Sequence, residues 1–109
     1  LVLDAWEVSE CQSGTVAINA AIKASAGEHN YPVLDMHAFV NMVKGGSVFD
    51  GVDINADYIS GGGFSLDGIH LNPRGYAIVA NEFIEAINDH YESNIPKVAI
   101  ANYRGIVYP

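Results

Sequence analysis

The clearest pattern of apolar and polar positions lies between residues 73 and 91 and predicts a long amphipathic helix. Its apolar side chains recur every three or four residues: Tyr76, Val79, Ala80, Phe83, Ile84, Ile87 and Tyr91. Asn72 can cap the helix with its side-chain oxygen, and Pro73 suits the first helical position, where no backbone donor is needed. The pattern predicts a helix from about Pro73 to Tyr91 with a wide, buried apolar face.

A second, earlier helix is predicted between Ser13 and Ser25. Ser13 or Thr15 can cap its start, and Gly27 ends it. Its apolar stripe is narrow and rich in small residues: Val16, Ala17, Ala20, Ala21 and Ala24, widened by Ile18 and Ile22. Small side chains allow a helix to pack closely on a sheet. Residues 1–6 are short and apolar, which predicts the tail of a strand or an extended segment.

The middle of the chain alternates between strand-like and helix-like patterns. Pro32 favours extended backbone before it, and the run from Val33 to Met36 is apolar enough for a buried strand. A short helix then fits His37 to Val43 and stops at Gly45-Gly46. Helix, strand and helix at this spacing indicate an α/β domain.

Residues 47–63 predict an irregular β segment followed by flexible backbone. Alternating apolar residues and turn formers between Ser47 and Ser60 predict either a small hairpin or an irregular β excursion. Gly61-Gly62-Gly63 would let the main chain pass close to another segment or to a substrate. Near the C-terminus, Val98–Ala101 and Gly105–Tyr108 are predicted to be extended.

The composition narrows the classes of function. Thirteen acidic and five basic residues give a net charge of -8, which argues against nucleic acid and anionic membrane surfaces as partners. No apolar run approaches membrane-spanning length. The chain opens at Leu1 with neither an initiator Met nor a basic leader, so we expect a mature or truncated piece whose compartment is unknown. The single Cys11 excludes an internal disulfide and is expected to be buried or inert.

The candidate chemistry is an acid and a histidine three residues apart, immediately before the long helix. A turn of this length can bring the Asp67 carboxylate to Nδ1 of His70, which leaves Nε2 free to face a reactant. The alternative is that Asp67 makes an Asx turn and His70 is a surface loop residue. His37 follows the predicted strand, where α/β folds place ligands, but it also fits a structural position on a helix.

A group of turn residues resembles calcium ligands in composition: Asp50, Asp53, Asn55 and Asp57. They lack the twelve-residue loop with a glycine at its sixth position and a glutamate at its end. We therefore predict solvated turn residues and no metal site.

The run Asp67-Gly68-Ile69-His70-Leu71-Asn72-Pro73-Arg74-Gly75-Tyr76, continued by Ala77 to Asn81, resembles the last conserved block of the SGNH hydrolases, also called GDSL-type esterases and lipases. In that family an Asp-x-x-His pair precedes the final helix. The resemblance implies an α/β fold, here the C-terminal part of a three-layer α/β/α, flavodoxin-like sandwich with a small β excursion. It looks most similar to secreted or envelope-associated bacterial lipase-like members.

Carried over to this sequence, the resemblance implies that His70 is the general base and that Asp67 orients it. It also implies ester hydrolysis through an acyl-serine without metal or cofactor, on a small-molecule ester such as a lipid or an acylated sugar. The nucleophile block is missing, since none of the seven serines follows Gly-Asp: Ser9, Ser13, Ser25, Ser47, Ser60, Ser65 and Ser93. The oxyanion-hole glycine block and the Gly-x-Asn-Asp block are missing as well.

We therefore expect residues 1–109 to be one unit, the C-terminal fragment of a larger hydrolase that is inactive alone. Such a fragment would leave strand edges and apolar faces uncovered, which predicts self-association. One alternative is a non-catalytic module that binds carbohydrate or protein and retains a hydrolase-like block. Another is a purely structural α/β unit, in which changing Asp67 would impair no function.

Overall fold

The computed structural model describes residues 2–106, and the chain divides into two compact units, Leu1–Val33 and Leu34–Pro109. The first unit contains helix α1 (Ala5–Glu28). The second contains α2 (Met36–Lys44), strands β1 (Ser47–Phe49) and β2 (Val52–Ile54), α3 (Pro73–Tyr91) and a short 3-10 helix (Ile100–Asn102). The assignment of residues 1–109 to one unit stays a prediction.

Helix α1 begins well before the predicted cap at Ser13 or Thr15, so that prediction was wrong. Asp4 caps the helix: its carboxylate accepts hydrogen bonds from the backbone N–H groups of Trp6 at 2.8 Å and Glu7 at 2.9 Å. Glu7 in turn accepts one from the Asp4 backbone at 2.8 Å, completing a capping box. The extended segment predicted for residues 1–6 is therefore wrong from Ala5 onward, and Leu1 lies outside the described residues.

Helix α1 is exposed over nearly its whole length, with Asn19 and Ala26 half-buried. No residue of Ala5–Glu28, all of which the structure describes, is buried. Cys11 is exposed and forms no disulfide, so of the two expected states burial is excluded, and an inert thiol stays a prediction. The reason is that, among the described residues of the first unit, α1 has no second helix or strand against which it could pack.

Helix α2 confirms the predicted helix, but the predicted strand from Val33 to Met36 does not form. Asp35 caps α2 instead, because its carboxylate accepts a hydrogen bond from the Ala38 N–H at 2.9 Å. Gly45 ends the helix as expected. A buried strand needs neighbouring strands for its backbone groups, and no such neighbour occurs in the described residues.

Of the two alternatives predicted for this segment, the hairpin is confirmed: β1 and β2 form an antiparallel pair in which Ser47, Val48 and Phe49 face Ile54, Asp53 and Val52. Asp50 and Gly51 form the two-residue turn, with φ values of 49° and 77°. Positive φ at both central residues is the type I′ arrangement that matches the twist of a hairpin.

The core of the second unit is small and lies between α3, α2, β2 and the 3-10 helix. Its buried apolar residues are Val43, Ile54, Ala77, Ile78 and Ile100. The predicted apolar face of α3 is only partly buried, because Tyr76, Phe83 and Tyr91 are each more than half exposed. The buried positions are Gly75, Ala77, Ile78 and Asn81. The covering elements are short, so they reach one side of the helix and leave the large aromatic residues uncovered.

Two asparagines of α3 hold the chain that follows the helix. Asn81 Nδ2 donates to the Val98 carbonyl at 2.9 Å, and Asn81 Oδ1 accepts from the Val98 N–H at 2.8 Å. Asn88 makes the same pair of bonds with Ile95, at 2.9 and 2.8 Å. A side-chain amide thus takes the place that a neighbouring strand would occupy in a sheet.

The same chain returns to the start of α3 at Arg74. The Arg74 N–H donates to the Arg104 carbonyl at 3.1 Å, and Arg74 Nε donates to the Tyr103 carbonyl at 3.2 Å. We call residues 95–104 the C-terminal strap. It satisfies one of the backbone donors that the first turn of a helix leaves free.

The strap corrects one prediction about the C-terminus. Residues 98–101 were predicted to be extended, but the 3-10 helix Ile100–Asn102 interrupts them. Gly105 and Ile106 have no regular secondary structure, and the rest of the predicted extended segment 105–108 lies outside the described residues. The interruption brings Ile100 into the core, where it is 3% exposed.

Replacement of Gly75 by alanine is expected to destabilise the second unit by about 2 kcal/mol. A Cβ at this position would overlap the backbone carbonyl of Gly63, and backbone cannot move aside as a flexible side chain can. Urea denaturation followed through the amide signals of α3 measures the loss. Gly14→Ala in α1 is the matched control, since nothing lies within 4 Å of its Cβ and alanine favours a helix. Equal stability of Gly75→Ala and the parent chain would contradict this packing.

Candidate functional site

The loop before α3 is a closed turn from Phe64 to Leu71. These two residues form an isolated antiparallel bridge, and inside it the Ser65 N–H donates to the His70 carbonyl at 2.8 Å. The Gly68 N–H donates to the Ser65 carbonyl at 3.1 Å, and Gly68 has a φ of 70°, a conformation that glycine adopts without strain. The turn therefore has a fixed backbone, although residues 66–70 are exposed to solvent.

Asn72 anchors this turn to the helix, and the predicted cap is confirmed. Its Oδ1 accepts a hydrogen bond from the Gly75 N–H at 2.9 Å. Its Nδ2 donates to the carbonyls of Gly62 at 2.8 Å and Phe64 at 3.2 Å. The residue is 5% exposed, so each of these bonds is shielded from water. The three glycines at 61–63 come close to other backbone, as expected, since a Cβ at Gly61 would overlap Asn55.

Within the turn, Asp67 and His70 form the contact that the sequence predicts. Asp67 Oδ2 lies 2.7 Å from Nδ1 of His70. The carboxylate can only accept, so Nδ1 carries the proton and Nε2 of a neutral imidazole presents its lone pair. The His70 side chain is 71% exposed, and none of the described residues hydrogen-bonds Nε2. The basic nitrogen is therefore open to a group that approaches from outside.

The Asp67 carboxylate is held by four hydrogen bonds. Its Oδ1 accepts from the Ser65 hydroxyl at 2.6 Å and from the backbone N–H groups of Ile69 and His70, each at 2.9 Å. The Ser65 hydroxyl, the Ile69 N–H and the His70 contacts hold the pKa of this carboxyl far below its ordinary value. Asp67 thus stays ionised well into the acidic range and keeps its role as acceptor for the imidazole.

Two residues at this site were missed by the sequence reasoning. Ser65 donates to Asp67, and Tyr58 donates its hydroxyl to the Leu66 carbonyl at 2.6 Å. The Tyr58 ring also lies against Gly68, where a Cβ would meet ring carbons at 3.3 Å. Neither residue belongs to a motif or a periodic pattern, so the sequence carried no signal that could have found them.

The turn that presents Tyr58 is strained. Ile59 has a φ of 69°, and the Ser60 N–H donates to the Tyr58 carbonyl at 2.8 Å, which closes a three-residue γ-turn. A β-branched residue rarely adopts positive φ, at a cost on the order of 1–3 kcal/mol. The Gly61 N–H bond to the Asp57 carbonyl at 2.9 Å holds the turn in this form. Strained backbone of this kind is concentrated near functional sites.

The other candidate residues do not join the pair. His37 lies on α2, where its Nε2 is 3.4 Å from Nδ2 of Asn41, one helical turn away. The described residues contain no group of three or more His, Cys, Asp or Glu side chains that could hold a metal ion. Asp50 accepts a hydrogen bond from the Ile100 N–H at 3.2 Å, and Asn55 accepts one from the Asp57 N–H at 2.8 Å.

Among residues 2–106, no helix has the length and apolar character needed to cross a bilayer.

The family of the whole chain is shown by a comparison of its sequence with models of protein families. The model of the GDSL-like Lipase/Acylhydrolase family matches residues 2–83, about three quarters of the chain. The chain belongs to this family. Searches of curated proteins and of solved structures return no match. Membership assigns the chain to a hydrolase family and confirms the predicted α/β class, to which its helices and small hairpin conform. The matched range contains the whole Asp67–His70 turn and the first half of α3.

Proposed function

We propose that this GDSL-family chain supplies the general base and its orienting carboxylate to a serine ester hydrolase. The observation that carries the proposal is the 2.7 Å contact between Asp67 Oδ2 and His70 Nδ1, combined with an exposed Nε2. A histidine in this state can take a proton from a hydroxyl group, because Asp67 stabilises the imidazolium that results.

In the proposed reaction, Nε2 of His70 accepts the hydroxyl proton of a serine as its oxygen attacks the ester carbonyl. The tetrahedral intermediate then expels the alcohol, whose oxygen takes this proton from Nε2, and an acyl-serine remains. A water molecule repeats the sequence: His70 removes one of its protons and the water oxygen attacks the acyl carbon. The serine oxygen then leaves with the proton from Nε2, which releases the carboxylic acid. No metal or organic cofactor takes part in these steps.

The nucleophile is proposed to come from a polypeptide segment outside this sequence, so that this chain acts as the C-terminal part of the hydrolase. None of the seven serines follows Gly-Asp, the context of the family nucleophile. Ser65 is the serine nearest to the pair, but its hydroxyl donates to Asp67 Oδ1 and not to Nε2 of His70. A nucleophilic serine has to contact the basic nitrogen of the histidine, whereas Ser65 contacts the carboxylate that orients this histidine.

The proposed substrate is a small ester, such as a lipid or an acylated sugar. Leu66 precedes Asp67 and Ile69 precedes His70 in the loop, and their side chains are 62% and 77% exposed, so an apolar part of a substrate could contact them. Secretion or attachment to a bacterial cell envelope, which the resemblance implies, is part of the same proposal. So is self-association of the isolated chain, for which each unit has exposed apolar residues of its own, on α1 in the first and on α3 in the second.

A second candidate is a non-catalytic module that binds carbohydrate or protein, and the missing Gly-Asp-Ser block favours it. The coding sequence upstream of Leu1 separates the two. A Gly-Asp-Ser-Leu-like block within roughly one or two hundred residues, about one domain length, supports the hydrolase. Its absence from the native reading frame supports the binding module.

The isolated chain is expected to show no serine-dependent ester hydrolysis. The measurement is turnover of a p-nitrophenyl ester together with labelling by a fluorophosphonate, which reacts with activated serines. His70→Ala serves as the comparison, since an exposed imidazole can itself promote slow hydrolysis of such activated esters. Fluorophosphonate labelling of the isolated chain, with turnover that His70→Ala abolishes, would show that the nucleophile is present and would overturn its proposed external origin.

A further inference from the structure

The Asp67 carboxylate divides its hydrogen bonds unequally between its two oxygens. Oδ1 accepts three, from Ser65 Oγ, Ile69 N and His70 N, whereas Oδ2 accepts one, from His70 Nδ1. Among the described residues, Ser65 and His70 are the two side chains in hydrogen-bond contact with this carboxylate. The serine therefore contacts one oxygen while the imidazole contacts the other.

This division fixes the plane of the carboxylate. The χ2 torsion of aspartate is broad, so an unrestrained carboxylate rotates readily about the Cβ–Cγ bond. The two backbone donors and the serine hydroxyl approach Oδ1 from different residues of the turn, and together they restrict that rotation. Oδ2 is thereby kept in line with Nδ1 of His70. The site is half exposed, so when the serine hydroxyl is removed we expect water to take its place at Oδ1. The two backbone donors then remain as the fixed contacts of this oxygen, and the carboxylate rotates more freely than with three.

Ser65 is itself held in place by the turn. Its N–H donates to the His70 carbonyl at 2.8 Å, and its carbonyl accepts from the Gly68 N–H at 3.1 Å. Both backbone groups of Ser65 are thus engaged, and the hydroxyl is presented to the residue two positions later. The 2.6 Å distance between Ser65 Oγ and Asp67 Oδ1 is short, as expected for a charge-assisted hydrogen bond.

We propose that Ser65 is a positioning residue, which orients the Asp67 carboxylate and acts on His70 through it. The proposal rests on the proposed function, since it describes a residue that serves the same base. It extends the pair to a chain of three side chains, in which Ser65 donates to Asp67 and Asp67 accepts from His70. The lowered pKa of Asp67, of which the serine hydroxyl is the largest cause, supports this role.

The test compares Ser65→Ala, Ser65→Thr and Ser60→Ala in this chain by NMR. The first removes the hydroxyl and the second retains it. The third removes a hydroxyl from a neighbouring exposed loop residue that does not contact Asp67. The ¹³C signal of the Asp67 carboxyl is followed against pH, together with the ¹⁵N and ¹H signals of His70 Nδ1–H at neutral pH. Amide spectra establish that each variant remains folded.

Ser65→Ala is expected to move the Asp67 titration midpoint to higher pH by about half a pH unit or more, because it removes one charge-assisted hydrogen bond. It should also speed the exchange of the Nδ1 proton with water. Ser65→Thr and Ser60→Ala are expected to leave both signals close to those of the parent chain. A folded Ser65→Ala variant with unchanged signals would overturn the positioning role. If that variant unfolds, Ser65→Cys replaces it, because a thiol is a weaker donor of similar size. A midpoint moved to higher pH then supports the positioning role, and an unchanged midpoint overturns it.

These readouts do not depend on ester hydrolysis. If the hydrolase proposal fails while the titration shifts as expected, Ser65 still orients the carboxylate, but in a module that lacks catalysis. If the titration does not move while hydrolysis depends on His70, the base assignment stands and the role of Ser65 fails. The two proposals can therefore be rejected separately.

Discussion

Replacement of His70 by alanine is expected to lower kcat by a factor on the order of 10⁴ in a polypeptide that joins this chain to the proposed serine-bearing segment. Nε2 of His70 is the basic atom of the site and is open to an incoming hydroxyl. Without it the serine would have to attack in its neutral form, and the departing alcohol would lack a proton donor. KM is expected to change little, since the imidazole takes part in proton transfer in the transition state and contributes little to ground-state binding of the substrate.

The matched control is His37→Ala. His37 lies on α2 and contacts Asn41 on the same helix, so its loss should leave kcat within about twofold of the parent value. Steady-state kinetics with a p-nitrophenyl ester measure both variants. If His37→Ala impairs turnover as strongly as His70→Ala, or if His70→Ala retains most of the activity, the assignment of the base is wrong.

The second large effect is expected for Asp67→Asn, with a loss of roughly 10²- to 10⁴-fold in kcat. Three donors point at Oδ1 of residue 67, so the amide oxygen of asparagine should occupy that position. Its NH₂ group would then face Nδ1 of His70 in place of Oδ2. An NH₂ group donates, which would force Nδ1 to accept and would move the imidazole proton to Nε2. A protonated Nε2 cannot take a proton from serine, so the substitution reverses the tautomer while the shape is retained.

The tautomer can be measured apart from activity. The ¹⁵N shifts of the two ring nitrogens of His70 show which nitrogen carries the proton. In Asp67→Asn we expect Nε2 to show the shift of a protonated nitrogen and Nδ1 that of an unprotonated one. Asp57→Asn is the matched control, because it changes an exposed loop carboxylate nearby in sequence that makes no hydrogen bond to His70. Full activity of Asp67→Asn, or an unchanged tautomer, would contradict the orienting role of this carboxylate.

The features that the sequence predicted well are those that local chemistry determines. Asn72 and Pro73 specify the start of α3 through interactions within one helical turn, and the Asp50-Gly51 pair specifies the hairpin through its own backbone preferences. The contact between Asp67 and His70 belongs to the same class, since a three-residue turn limits where the two side chains can go. The start of α1 at Asp4 was missed although its signal, an acid three residues before Glu7, was present in the chain.

The features that the sequence could not predict depend on groups that are distant along the chain. The run from Val33 to Met36 is apolar enough for a strand, but a strand also needs neighbours, which pattern alone does not reveal. The large aromatic residues of α3 were expected to be buried, yet burial depends on how many elements surround the helix. Tyr58 reaches the loop only because a strained turn directs it there, and no periodic pattern encodes such a turn.

The C-terminal strap is matched to α3 in length as well as in hydrogen bonding. Asn81 and Asn88 are seven residues apart, a rise of about 10.5 Å along a helix, and the three residue steps from Ile95 to Val98 span about 10 Å when the backbone is extended. Val98 lies beside Asn81 and Arg104 beside Arg74, again seven helical positions apart. The strap has more residues between Val98 and Arg104 than an extended chain needs for this distance, and the 3-10 helix takes up the extra length. The two parts of the strap therefore differ in how well they tolerate a change of length. An insertion between Ile95 and Val98 would break the match with Asn88 and Asn81, whereas the 3-10 helix after Val98 can accommodate an added residue.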